Sequence, residues 1–334
     1  MRRTPLHATN AAAVIGLRRL IERRQPDVVH GHSSVGGALS RAAVRGDGTV
    51  RVYTPHGLAR GRLALSIERQ LGRRTDHLIA VSASEGHQVV DLGVVPPDRV
   101  TVIPNGVDLA PAAVPTIDLR AHFGLPPATP LVGSVARLVP QKAPEQFVRA
   151  CCRVAARRPD VHFVYVGRGP LQDRLDHEIA EGRLGDRFHQ LDYLADAWAV
   201  FDQLDCFVLL SAFEGGPYTP LEAMRAGAPV VVSDVVGNRD AVEDGVTGLL
   251  APFGAAEGAA GAILRLLNDH QLRATVVDQA TARLQARFDA RLMGGRLSQL
   301  YADWVASAKR RRTRRLPQPA SATSTNAPDD RAAQ

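Results

Sequence analysis

Arg137 and Lys142 lie in a short loop between an apolar run, Leu131–Ala136, and a helix expected to open at Pro144. Proline suits the first helical position because the amide it lacks would have no partner there. A helix N-terminus offers unpaired N–H groups and a partial positive charge, which makes this loop a place for an anion. An arginine fork and a lysine point charge both fit phosphate oxygens. Only Lys142 and Lys309 among the 41 basic residues are lysine. Lys142 is the exception inside the folded body, and the exception asks for a reason.

A second loop, Ser211-Ala212-Phe213-Glu214-Gly215-Gly216-Pro217-Tyr218-Thr219, follows another apolar run and leads into a helix carrying Glu222. Backbone amides of a glycine-rich loop before a helix can cradle phosphate. Thr219-Pro220-Leu221-Glu222 also has the spacing of a capping box, in which Glu222 would serve only its own helix. Glu214 has no such explanation. Earlier in the chain, His56 closes a strand in Thr54-Pro55-His56-Gly57, and His30 and His32 close the strand before it. A lone histidine is most often structural, and a place at a strand end does not by itself make it otherwise.

Strand and helix patterns alternate throughout, so the fold class is α/β with parallel sheets. Strands are expected at 27–30, 50–53, 77–81, 100–103, 131–136, 161–166, 188–191, 206–210, 229–233 and 248–250. Ser82-Ala83-Ser84-Glu85 has capping-box spacing, and Asn105-Gly106 is expected to turn. The pattern divides into a first domain at 1–110, a Pro- and Ala-rich linker at 111–130, and a second domain at 131–287. A helix at 288–308 is expected to return to the first domain, followed by a disordered basic tail at 309–334. In such sheets ligands bind at the carboxyl ends of strands, where the loops above fall.

The two glutamates with Glu222-Ala223-Met224-Arg225-Ala226-Gly227-Ala228-Pro229-Val230-Val231 resemble the signature of the retaining glycosyltransferase family 4. Arg137…Lys142, Gly167-Arg168-Gly169-Pro170-Leu171, Pro104-Asn105-Gly106-Val107-Asp108 and Gly237…Glu243-Asp244-Gly245…Gly248 match it in order, over about residues 26 to 305. The resemblance implies two Rossmann-like domains facing across a cleft (GT-B), the first of them incomplete here by roughly 70 residues, the size of two such units. It implies that Glu214 meets hydroxyls of the transferred sugar and that Glu222 meets the ribose. Arg137 and Lys142 would hold the diphosphate, Gly215, Gly216, Pro217, Tyr218 and Thr219 would form the donor loop, and His56 would face the sugar. His30 and His32 would line the acceptor side. Ala143 stands where the family commonly has glycine, and His189-Gln190-Leu191-Asp192-Tyr193 replaces a strand that usually carries a glycine near the base.

The implied activity is retaining transfer of a sugar from a UDP- or GDP-sugar substrate to a glycan, lipid or small-molecule acceptor, in cell-surface polysaccharide or glycolipid synthesis. The alternative is an inactive nucleotide-sugar-binding or regulatory partner, which intact mass would distinguish by showing whether further N-terminal elements exist. No Asp-x-Asp triplet occurs in the chain, and neither metal nor cofactor is expected. Nucleic acid is not an expected partner. The net charge is +7, and the stretch from Lys309 onward supplies +5 of it. That tail is expected to be solvated or to touch an anionic membrane face. Three cysteines in no ligand pattern, and an N-terminus without an apolar leader, read as cytoplasmic.

Overall fold

The computed structural model describes residues 8–315, apart from 47, 59–60, 111–116, 193 and 195–197. The first half contains α1 (Ala8–Arg24), β1 (Val28–His32), α2 (Ser34–Ala43), β2 (Val50–Thr54), α3 (Arg62–Gly72), β3 (His77–Ala80), α4 (Ala83–Asp91) and β4 (Val100–Val102). After α5 (Leu119–His122) come β5 (Leu131–Val135), α6 (Pro144–Ala155), β6 (His162–Val166), α7 (Gln172–Glu181), β7 (Phe188–Leu191), α8 (Trp198–Phe201) and β8 (Cys206–Leu209). The chain continues through α9 (Tyr218–Arg225), β9 (Val230–Ser233), α10 (Asn238–Ala241), β10 (Leu249–Ala251), α11 (Ala256–Asn268), α12 (His270–Arg287) and α13 (Ala290–Arg315).

The strands form two parallel sheets, one ordered β1-β2-β3-β4 and one ordered β10-β9-β8-β5-β6-β7. In the second, the chain runs outward from β5 to β7, then returns to place β8 beside β5 and runs outward the other way. The reversal makes the loops after β5 and β8 diverge, and the crevice between them is where such sheets bind ligands. All four residues of β8 and of β9 are buried. Successive side chains go to opposite faces. Cys206 and Val208 join Phe147, Val154 and Ile263 on one side, and Phe207 and Leu209 join Leu221, Met224 and Leu284 on the other.

The first sheet is covered differently. One face packs Tyr53, Leu78 and Ala80 against Val89, Val94 and Val95. The other packs Val50, Val52, Ile79 and Ile103 against Trp304 of α13, with Met293, Leu297 and Tyr301 beside it. Trp304 also stacks on His77, with ring centroids 4.0 Å apart and planes 5° apart. The chain therefore crosses between the halves twice. The crossings touch, because Val107 N–H donates to Phe288 O at 2.8 Å and Ala290 N–H donates to Val107 O at 3.0 Å.

Four local expectations change. Asn105-Gly106 is not a turn but part of this extended crossing. A Cβ on Gly106 would come within 2.6 Å of Ala290 Cα, so the glycine serves close approach. Helix α3 stands outside the expected elements; its apolar residues Leu63, Leu65 and Ile67 alternate, and it buries the charged Glu68. The expected disordered tail begins too early, because α13 continues to Arg315. Lysine and arginine are good helix formers, and cations are favoured at a helix C-terminus. Capping also differs at α9, whose N-cap is Pro217 and whose Thr219 lies inside the first turn. The 111–116 part of the expected linker, the 316–334 part of the tail, and Tyr193 lie outside the described residues.

Candidate functional site

Arg137 and Lys142 sit in the loop after β5, and Glu214 in the loop after β8, on either side of the reversal. Lys142 Nζ lies 2.6 Å from Glu214 Oε1, with side chains 14% and 5% exposed. So buried a carboxylate requires a partner, and the lysine provides it. Gln141 Nε2 donates to Phe213 O at 3.2 Å and approaches Glu214 Oε2 at 3.4 Å, while Ala212 N–H donates to Gln141 O at 2.8 Å. The two loops thus brace one another. Arg137 is exposed, and among the described residues neither it nor Glu222 hydrogen-bonds to the Lys142–Glu214 pair.

The loop bearing Arg137 is shaped by its neighbour after β6. Leu138 N–H donates to Arg168 O at 3.2 Å, and Leu171 N–H donates to Leu138 O at 3.1 Å. A Cβ on Gly167 would fall 2.0 Å from Ala136 O, and one on Gly169 would fall 2.4 Å from Leu138 O. The Gly-Arg-Gly-Pro sequence is a backbone-to-backbone seam. At the end of the same loop, Ala143 adopts φ 43° and ψ 57°, a left-handed conformation that strains an alanine. Of five non-glycine residues with positive φ among the described residues, Ser33 and His56 are two more, both at strand ends of the first sheet. Such strain concentrates where a fold over-determines a functional loop.

The glycine loop after β8 reaches the first half. A Cβ on Gly215 would lie 2.7 Å from Gly57 N and 2.9 Å from His56 C, and one on Gly216 would lie 3.1 Å from Val81 O. Asn105 Nδ2 donates across the cleft to Gly216 O at 2.7 Å. His56 and Glu214 are therefore brought to facing loops. Tyr218 opens α9 and is partly exposed. Since the cap is Pro217, Glu222 lies beyond any capping position, and Thr219 Oγ1 has no hydrogen-bond partner among the described residues. Burial pushes the Glu222 carboxyl above the usual range, with nearby Arg225 partly offsetting it. A desolvated acceptor of this kind gains when hydroxyls donate to it.

The three histidines form one cluster. His32 Nδ1 lies 3.0 Å from His56 Nε2, and the rings of His30 and His32 are 4.1 Å apart. His30 bonds Thr54 Oγ1 through Nε2 at 2.8 Å and Tyr301 of α13 through Nδ1 at 2.5 Å. Burial first, then the neighbouring His32 and His56, lower the His30 pKa to about 3. Burial likewise lowers His32 and His56. All three are neutral at neutral pH, suited to hydrogen-bonding hydroxyls rather than to holding charge. A cavity of about 640 Å³ opens between the halves, lined by Gly57, Leu58, Arg62 and Leu65 on one side and Phe213, Glu214 and Val235 on the other.

Several residues of this site were not legible beforehand. Gln141 lies next to Lys142, but nothing in the sequence aims its amide at Glu214. Asn105-Gly106 has the local chemistry of a turn. Glu85 has the spacing of half a capping box, and Ser82 Oγ does accept from Glu85 N at 3.1 Å. The Glu85 carboxylate turns away from its own helix and accepts from Val81 N at 2.9 Å and from Gly57 N, pinning the His56 loop.

Residues 116–283 match the family described as glycosyl transferases group 1, and residues 2–111 match glycosyltransferase family 4. The chain is 32% identical over 276 residues to an Escherichia coli UDP-Gal:alpha-D-GlcNAc-diphosphoundecaprenol alpha-1,3-galactosyltransferase, covering 78% of this chain and 71% of that one. It is 31% identical to a D-inositol 3-phosphate glycosyltransferase of Acidothermus cellulolyticus, covering 93% and 75%. Among solved structures, sucrose-phosphate synthase from Thermosynechococcus elongatus superposes with a TM-score of 0.81 at 24% identity, covering 92% of this chain and 81% of that one. Anabaena HepE in complex with UDP-glucose gives 0.76 at 25% identity, covering 88% and 82%. The fold is the GT-B arrangement of these enzymes. No helix among the described residues is long and apolar enough to cross a membrane.

Proposed function

This chain belongs to the glycosyl transferases group 1 family, and from that premise we propose that it is a retaining, metal-independent glycosyltransferase using a nucleoside-diphosphate sugar. The observation that carries the reading is the Lys142–Glu214 pair at the sheet reversal, 2.6 Å across and facing the His56–Gly57 loop. Arg137 and Lys142 hold the diphosphate and stabilise the charge that gathers as it leaves, the term that usually dominates such catalysis. These two cations take the place a metal ion takes in other transferases. Glu214 accepts hydrogen bonds from hydroxyls of the sugar, and Glu222 accepts them from the ribose. The amides of Gly215, Gly216, Tyr218 and Thr219 add donors around the phosphates, and Pro217 sets the turn that aims them.

Transfer breaks the bond between the anomeric carbon and the diphosphate oxygen, whose electron pair leaves with the phosphate. The acceptor oxygen bonds to the same face of the sugar, and its proton passes to the leaving phosphate oxygen. His56 faces the sugar, while His30 and His32 border the acceptor side, which opens into the cavity between the halves. The names of the relatives, among them a UDP-galactose-dependent transferase, favour a UDP-sugar and a glycan or lipid-linked acceptor handled at a cytoplasmic membrane face. The basic end of α13 suits that face.

A thermal-shift titration with UDP, GDP and ADP, each with EDTA and with Mg²⁺, tests the donor site. A nucleotide at about 100 times its Kd adds roughly 2.7 kcal/mol. Stabilisation by UDP in EDTA is the expected result. Absence of a shift with every nucleotide overturns the donor assignment, and a shift that needs Mg²⁺ overturns metal independence.

A further inference from the structure

The contact between the two halves includes a carboxylate whose position no step of sugar transfer explains. Asp240 lies on α10, a single turn of the second half, and its Oδ1 accepts from the backbone N–H of Ala83 at 3.1 Å and of Ser84 at 3.4 Å. Those amides are the first two of α4, in the first half. With Ser82 Oγ taking the Glu85 amide, the first three N–H groups of α4 are all engaged, two of them by the opposite half. A carboxylate at a helix N-terminus meets both free donors and the positive end of the dipole. Asp240 is itself anchored, because Arg283 donates to its carbonyl oxygen at 3.1 Å and pairs with Glu243 at 3.1 Å.

The same turn of α4 leads to the site. Glu85 holds Gly57 N, Gly57 lies against Gly215, and the next glycine, Gly216, receives Asn105. We propose that Asp240 is a positioning residue: its clasp on the N-terminus of α4 sets the spacing at which the His56–Gly57 loop meets the Glu214–Gly215 loop. The clasp aligns the acceptor-side and donor-side loops and touches no substrate. This role follows from the fold and concerns the transfer reaction proposed above.

Two variants interrogate the clasp from opposite sides. Asp240→Ala removes the acceptor. Ala83→Pro removes one donor at the first helical position, where proline fits, and Ser82 before it is already extended at φ −154° and ψ 158°. Amide hydrogen exchange of the full chain is read over residues 54–58 and 213–219, with UDP affinity measured alongside. Each variant is expected to speed exchange in both loops by about tenfold, as for losing a hydrogen bond to a charged group. UDP affinity should stay within about twofold, and the double variant should be no worse than the stronger single one. Unchanged exchange, multiplying single effects, or a fall in UDP affinity equal to the gain in exchange would overturn the clasp. Should the wild-type chain fail to bind UDP, the donor reading falls while the exchange comparison still decides on Asp240.

Discussion

The six-stranded sheet is covered on both faces by apolar side chains drawn almost wholly from its own stretch of chain, with Phe163, Tyr165, Phe207 and Leu131 fully buried. The four-stranded sheet has smaller apolar clusters on its two faces and buries a charge cluster as well. Arg41, 1% exposed, donates to Glu68 Oε2 at 2.8 Å, to Gly37 O at 2.8 Å, and lies 3.7 Å over the Tyr53 ring. Tyr53 donates in turn to the other Glu68 oxygen at 2.9 Å. Its second face is closed by α13, the last described element of the chain. One half is held by burial of oil-like surface within itself, which is non-directional and tolerant. The other depends on an ion pair that functions only if complete, and on a helix that arrives from the far side of the molecule.

The comparison breaks most readily at Glu68. Glu68→Gln keeps the shape but leaves Arg41 buried without a counter-charge, and a loss of about 3–5 kcal/mol is expected. Urea unfolding followed by hydrogen exchange should place that loss in residues 28–102 and spare the six-stranded sheet. A double variant, Arg41→Met with Glu68→Leu, is expected to recover most of it, since an apolar pair of similar volume often matches a buried ion pair. Equal loss in both halves would show the sheets to be one cooperative unit.

At the donor side the expected effect is on rate. Lys142→Ala should lower sugar transfer by about 10²–10³-fold, the usual consequence of removing one group that stabilises leaving charge, with Lys142→Arg recovering part. Full activity in Lys142→Ala, assayed by nucleotide release, would remove the diphosphate role. Trp304→Ala tests the borrowed roof and should destabilise the first half by about 3 kcal/mol, the lower end for a tryptophan this buried. If thermal unfolding is unmoved, α13 does not hold that sheet.

The histidine cluster adds a pH dependence confined to the first half. His30 binds its proton near pH 3 when folded and near 6.5 otherwise. The unfolded chain therefore takes up a proton that the folded chain refuses as pH falls below 6.5, and stability present above that value is lost. Tm should drop between pH 7 and pH 5, and His30→Gln should flatten the slope. The smallest effect is expected at Ala143→Gly. Relief of the left-handed strain should raise stability by no more than about 1 kcal/mol; a decrease would mean that the buried methyl outweighs the strain.

The amino-acid sequence alone determined the alternation that makes two parallel sheets. Continuous apolar runs such as Cys206–Leu209 suit strands buried on both faces, and the apolar period of the helices must match. It also placed Arg137, Lys142 and Glu214 at strand ends, because the types that bind phosphate and sugar stand directly after those runs. Which of these residues touch was not legible, since the contact between Lys142 and Glu214 depends on β8 returning to lie beside β5. The same holds for Glu222, whose capping spacing was dissolved by a helix that starts at Tyr218. Asn105, Glu85 and Asp240 look locally like turn, cap and surface residues. The packing of one half against the other turns Asn105 and Asp240 toward partners 111 and 157 positions away, and the folding of the first half on itself turns Glu85 toward Gly57, 28 positions away. Local patterns are set by the short-range geometry of helix and strand, whereas a contact across a cleft exists only once two folded surfaces meet.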